Sequence, residues 1–134
     1  MNLKLSLEKV RNDLTPLKAY EVVFYGSYAA GSARLQSDID VAVLTRSSDP
    51  AHNRKVFARL LGKVPEKYDV KIFELLPLDV KASLMEQWRG IFGNELEMSE
   101  YFYHFRRLWE DCKHRYYENQ FASAEEKMKA LGMV

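Results

Sequence analysis

The chain has 134 residues, 47% of them hydrophobic and 29% charged, with a net charge of +1. These totals fit one folded domain and argue against a disordered chain. The near-neutral balance offers no global field to draw the molecule onto nucleic acid, so direct nucleic-acid binding is not expected. One cysteine, Cys112, leaves no internal disulfide and fits a reducing compartment. No apolar run reaches the length of a membrane span, and charges interrupt MNLKLSLEKVR too early for a secretory signal. The expected location is the cytoplasm.

Residues 3 to 19 carry Leu5, Leu7, Val10, Leu14 and Leu17 at roughly helical spacing. EVVFY, 21 to 25, reads as a buried strand that stops at Gly26. SYAAGSARL reads as a turn and a short helix, with Ser27 placed to cap it. Residues 37 to 44 form a second strand. Asp49-Pro50 opens a helix of about residues 50 to 62. Tyr68 to Leu75 alternates Asp69, Lys71 and Phe73 against Val70, Ile72 and Glu74, a third strand broken by Pro77. A helix is expected over 79 to 89, then a turn at 90 to 94 with a short strand at Ile91-Phe92. A long helix is expected from about Ser99 to Glu118, with a fraying tail over 121 to 134. The fold class is α/β (α+β): a small β-sheet with helices packed on it and a long C-terminal helix. One domain, 1–134, has its core at about 18–90 and a helical extension at about 95–134.

The stretch GSYAAGSARLQSDIDVAV, residues 26 to 43, holds the chemistry. On a strand, residues i and i+2 share a face, about 6.5–7 Å apart along the chain. Asp38 and Asp40 therefore project together, while Ile39 and Val41 point into a core. Burying two unpaired carboxylates is costly, and a divalent cation relieves both the repulsion and the burial cost. Mg²⁺ takes oxygen ligands and is shared between one or two carboxylates and substrate phosphates. Asp69, on the next strand, supplies a third carboxylate, either as a metal ligand or as the base that deprotonates a nucleophile. The Gly-Ser turn precedes a helix N-terminus, whose unpaired N–H groups and partial positive charge suit phosphate. Gly26 lets backbone approach a ligand, and the Ser27 hydroxyl can donate to a phosphate oxygen. Taken alone, SDID is equally the wet face of a half-exposed strand, and Gly-Ser before a helix is usually just a turn and cap. Their short spacing and the downstream Asp69 favour the equipment of phosphoryl or nucleotidyl transfer.

G-S-x-A-x-G, a spacer and S-D-x-D-hydrophobic resemble the signature of the DNA polymerase β-like nucleotidyltransferase superfamily, and the size is similar to its minimal nucleotidyltransferases (MNT). The matching residues are Gly26, Ser27, Ala29, Gly31, Ser37, Asp38 and Asp40, with Asp69 as the third acid. The resemblance covers about residues 18 to 90. It implies the polymerase β-like fold, a small mixed β-sheet with flanking helices, with one or two Mg²⁺ ions on Asp38, Asp40 and Asp69, and ATP or another NTP attacked at its α-phosphate. It also implies phosphate binding by Gly26, Ser27, Gly31 and Ser37. Ala30 stands where the family often has arginine, and Arg34 could supply a similar charge. Many minimal members are antitoxins paired with an HEPN-domain toxin, and characterised pairs transfer AMP from ATP to a toxin tyrosine. A hetero-oligomer with such a toxin is the expected assembly. Two alternatives stay open: an antitoxin that masks its partner with weak or no catalysis, and transfer to a small molecule or an RNA end.

Outside this stretch, Tyr101, Phe102, Phe105, Leu108, Trp109, Cys112 and Tyr116 make an apolar stripe. Core packing is the favoured reading for most of it, with part of the stripe as a partner surface the alternative. The interleaved Arg106, Arg107, Lys113, His114 and Arg115 could contact RNA or phosphate but more often make a solvated helix face, balanced by Glu110 and Asp111. His52, His104 and His114 show no zinc spacing. Lys71 shares a strand face with Asp69 and could neutralise phosphate or pair with the acids.

Overall fold

Near-continuous apolar strands are the mark of a sheet covered on both faces, and EVVFY and IDVAVL have that composition. The computed structural model describes residues 3–26 and 38–130. The helix α1 spans Leu3–Asp13, followed by a 3-10 turn at Thr15–Leu17. Then come β1 (Glu21–Tyr25), β2 (Ile39–Leu44), α2 (Pro50–Leu60), β3 (Tyr68–Ile72), a 3-10 turn (Phe73–Leu75), α3 (Leu78–Glu86), β4 (Trp88–Phe92) and α4 (Glu95–Ala130). The sheet order is β3-β2-β1-β4. β1 runs antiparallel to both β2 and β4, whereas β2 and β3 are parallel and joined through α2. The expected mixed sheet with flanking helices and a long C-terminal helix is present. The turn and short helix expected over SYAAGSARL lie outside the described residues.

Strand alternation sorts the core into two layers. Val22, Phe24, Ile39, Val41 and Val43 pack against Val10 of α1, Leu14 just after it, and Val56 and Leu60 of α2. On the other face, Val23, Tyr25, Ala42 and Leu44 pack with Phe73, with Leu84 and Met85 of α3, and with Met98 and Phe102 of α4. Phe73 is fully buried, with the rings of Tyr101, Phe102 and Phe105 at 5.8, 5.0 and 5.2 Å.

Several boundaries differ from the sequence reading. The first helix stops at Asp13, because Pro16 tightens the chain into a 3-10 turn. The third strand stops at Ile72 because Glu74 turns back to close the end of β2. Its carboxylate accepts from the backbone N–H of Thr45 (3.0 Å) and Arg46 (3.0 Å) and from the Tyr101 hydroxyl (2.6 Å). The helix expected over 79–89 ends at Glu86, and the short strand expected at 91–92 begins at Trp88, paired along β1. α4 starts at Glu95, four residues early, where the Asn94 side chain accepts from Glu97 N–H at 3.0 Å. It continues to Ala130, through residues expected to fray.

A second anchor holds α4 to the sheet. Arg46, at φ 63°, lays its guanidinium on Glu21 (2.6 and 2.9 Å) and stands 4.4 Å from the centre of the Tyr101 ring. These contacts offset the left-handed backbone of a non-glycine residue. Along the expected apolar stripe, Phe102 is buried. Tyr101, Phe105, Trp109, Cys112 and Tyr116 are half-buried, and Leu108 is exposed.

Candidate active site

β2 would be apolar throughout but for Asp40, and Asp40 is also the one position of that strand that is not fully buried. Parallel pairing sets Asp40 directly against Asp69 on β3, and antiparallel pairing sets it against Tyr25 on β1. Tyr25 in turn faces Trp88 on β4. Residues opposite one another in register share a sheet face about 5 Å apart. Asp69, Asp40, Tyr25 and Trp88 thus form one row across the sheet, at the end where β1 finishes and β2, β3 and β4 begin. The backbone bond from Ile39 N–H to the Lys67 carbonyl (2.9 Å) fixes the start of the parallel pair. Asp38 is exposed, just before β2.

The row is electrostatically tense. Burial, and then the neighbouring Asp69 carboxylate, push the Asp40 carboxyl above the usual carboxylate range. Lys71 acts in the opposite direction, and Asp38 adds to the rise. Burial, Asp40 and Asp69 push the Tyr25 hydroxyl up to about 12. Lys71 lies on the same face as the acids, opposite Ala42, with Nζ 3.6 Å from Asp69 Oδ2.

Gly26 ends β1 with φ +72°, a left-handed backbone that favours glycine. A Cβ added there would sit 3.2 Å from Asp40 Oδ2. The glycine therefore makes the turn and leaves room for the carboxylate. Ser27, Ala29, Ala30, Gly31, Arg34 and Ser37 lie outside the described residues.

The donor set of the row fits a hard divalent cation. It consists of carboxylate oxygens that repel one another and gain from a positive charge between them. The carboxylates do not form a finished cage. Among the described residues, no three histidine, cysteine or acidic side chains are grouped to hold an ion. Asp40 and Asp69 are brought together, and Asp38 stands at the mouth of the row.

Tyr25 and Trp88 escaped the sequence reading as site neighbours. The signal for Tyr25 was available, since it immediately precedes the Gly-Ser turn. The signal for Trp88 was not, since its place depends on a long-range strand pairing.

The family model described as a nucleotidyltransferase domain matches residues 6–123 of this chain. A curated relative, the putative protein adenylyltransferase MJ1547 of Methanocaldococcus jannaschii, is 42% identical over 111 residues, which is 83% of this chain and 86% of that protein. Among solved structures, a toxin–antitoxin complex with AMP-PNP contains a chain that superposes with a TM-score of 0.58 at 17% identity. The match covers 88% of this chain and 98% of that one. A second match comes from a complex of a tri-AMPylated Shewanella oneidensis HEPN toxin with an MNT antitoxin. Its TM-score is 0.56 at 16% identity, covering 95% of this chain and 99% of that one. At these identities the structural likeness establishes the fold.

Proposed function

Because the chain belongs to the nucleotidyltransferase domain family, we propose that it transfers AMP from ATP to a tyrosine hydroxyl of an HEPN-domain toxin in the cytoplasm, neutralising that toxin within a hetero-oligomer. The observation that carries this reading is the register that sets Asp40 against Asp69 beside Gly26. The adenylyltransferase name of the Methanocaldococcus jannaschii relative supports the reaction. The partners in the matched structures support the acceptor: they are toxin–antitoxin complexes, one of them with an AMPylated HEPN toxin.

Asp38, Asp40 and Asp69 would hold one or two Mg²⁺ ions. The bound ion supplies charge neutralisation for the phosphate oxygens and the departing pyrophosphate. Gly26, Ser27, Gly31 and Ser37, with Arg34, are assigned to the nucleotide phosphates. Asp69, on the exposed edge strand, takes the proton from the acceptor hydroxyl. The acceptor oxygen then bonds the α-phosphorus, the bond from that phosphorus to the β-phosphate bridging oxygen breaks, and pyrophosphate leaves. Tyr25 and Trp88 wall the row on its far side and limit water there.

One observation favours a second reading, an antitoxin that masks its toxin with little catalysis: among the described residues Asp40 and Asp69 are paired, but no third acidic side chain joins them in a group that could hold an ion. Ala30, in the place of the family's arginine, points the same way. The experiment is intact-mass spectrometry of an HEPN partner after incubation with this protein, Mg²⁺ and ATP. Mass steps of one AMP, absent with the Asp38→Asn/Asp40→Asn variant, are the expected result. An unmodified partner that nevertheless forms a stable complex would replace the enzyme with the masking module.

A further inference from the structure

The acidic row carries a positive charge of its own. Lys71 follows Asp69 by two positions on β3 and faces the same side of the sheet, one step along from the Asp40–Asp69 pair. Its Nζ lies 3.6 Å from Asp69 Oδ2, and both side chains are nearly half exposed. Its field opposes the repulsion that Asp69 and Asp38 exert on Asp40. An ion pair this long and this wet contributes little to stability and exchanges readily. Lysine suits exchange, because its charge is compact and its four-carbon stem is flexible.

We propose that Lys71 is a positioning residue that serves as the resident cation of the acidic row and couples metal binding to nucleotide binding. The inference rests on the metal-bearing reading given above. An ammonium group and a divalent ion compete for the same carboxylate oxygens, so metal entering alone must displace Lys71 from Asp69. The displaced ammonium then faces a positive centre with no anion to receive it. A nucleotide triphosphate is such an anion, and it enters beside the same carboxylates. Metal without nucleotide therefore binds weakly, nucleotide without metal meets an acidic row, and the two together suit all the charges. By linkage, each ligand strengthens the other by the same factor.

The test measures Mn²⁺ binding to the full chain by electron paramagnetic resonance, with and without a non-hydrolysable ATP analogue. Binding of Mn²⁺ to the free analogue is subtracted. Wild type, Lys71→Met, Lys71→Arg and Asp40→Asn are compared. With the nearby ammonium removed, Lys71→Met is expected to bind Mn²⁺ alone about tenfold more tightly than wild type. The tightening brought by the analogue, about tenfold or more in wild type, is expected to shrink below about threefold in this variant. Lys71→Arg keeps the charge and is expected to follow wild type. A Lys71→Met protein that binds Mn²⁺ alone like wild type and keeps the full tightening overturns the proposal. The Asp40→Asn arm separates the two levels. If it binds Mn²⁺ as well as wild type, the metal does not sit on this row, and both the metal assignment and the role of Lys71 fall together.

Discussion

Gly26→Ala separates backbone strain from site geometry, because Gly62 provides a matched control. Gly26 and Gly62 have almost the same left-handed backbone, φ +72° and +75°. An added Cβ at Gly62 meets nothing within 4 Å, whereas at Gly26 it lies 3.2 Å from Asp40 Oδ2. The left-handed penalty for alanine is about 1–2 kcal/mol at either position. A chain of 134 residues loses roughly 0.28 kcal/mol of stability per degree near its midpoint, so each variant should melt about 4–7 °C lower. Only Gly26→Ala must also move the Asp40 carboxylate by a few tenths of an ångström. A misplacement of about 1 Å at a reacting centre costs about a hundredfold in rate, so a shift of a few tenths should cost a few-fold. The assay is the time course of AMP transfer to the HEPN partner, followed by intact mass well below both melting temperatures, alongside thermal melts. The expected result is equal loss of stability with loss of rate in Gly26→Ala alone. Equal rates in the two variants would refute the idea that the missing Cβ keeps the Asp40 carboxylate in place.

Other consequences follow from charge and packing. Asp40 holds its proton more tightly folded than unfolded, so its contribution to stability is greatest below the ordinary carboxylate pKa of 3.8 and is lost as pH rises above it. In metal-free buffer Asp40→Asn should therefore melt above wild type at neutral pH, and with Mg²⁺ and ATP present it should lose transfer activity. The difference should close on acidification, and a lower melting point at neutral pH would contradict the electrostatic account. The Tyr25 hydroxyl, raised from 10.0 to about 12, favours the neutral form in the folded chain. Its stabilisation is full below pH 10 and is lost as pH climbs through 12, by an amount on the order of 2 kcal/mol. Tyr25→Phe should remove this component from the alkaline limb of a denaturation series. Phe73→Ala empties a fully buried site ringed by three aromatics and should cost about 3–5 kcal/mol in urea unfolding.

Local chemistry made the first three strands and the Asp49 cap of α2 legible in the sequence, whereas Asp38, expected on the second strand beside Asp40, lies just before β2, which begins at Ile39. Asp49 does accept from Ala51 N–H at 3.0 Å. β4 was harder, since WRGIF mixes charge and glycine with its apolar residues and owes its extended form to β1 beside it. The start of α4 could have been read, because Asn94 and Glu97 have the spacing of a capping box and Asn94 does cap the helix. The end of the third strand could not, since it depends on Glu74 reaching residues 45, 46 and 101. Asp69 was assigned to the next strand on composition alone. Its alignment with Asp40, and the burial that makes Asp40 hold its proton, come from a parallel pairing that local spacing does not reveal.

That parallel pairing also sets the order in which the site comes together during folding. β1 and β2 are antiparallel neighbours in sequence, so their docking closes a short loop and aligns Tyr25 with Asp40 early. Asp69 reaches the same row only after the chain has run through α2 and returned to lie alongside β2. Pairings of that kind come late, because the entropy of the crossover is lost before any contact is gained. A nascent or partly unfolded chain thus carries Asp38 and Asp40 without their third partner. The acidic row is complete only when both sides of the sheet are in place, so its competence reports that the whole crossover has folded.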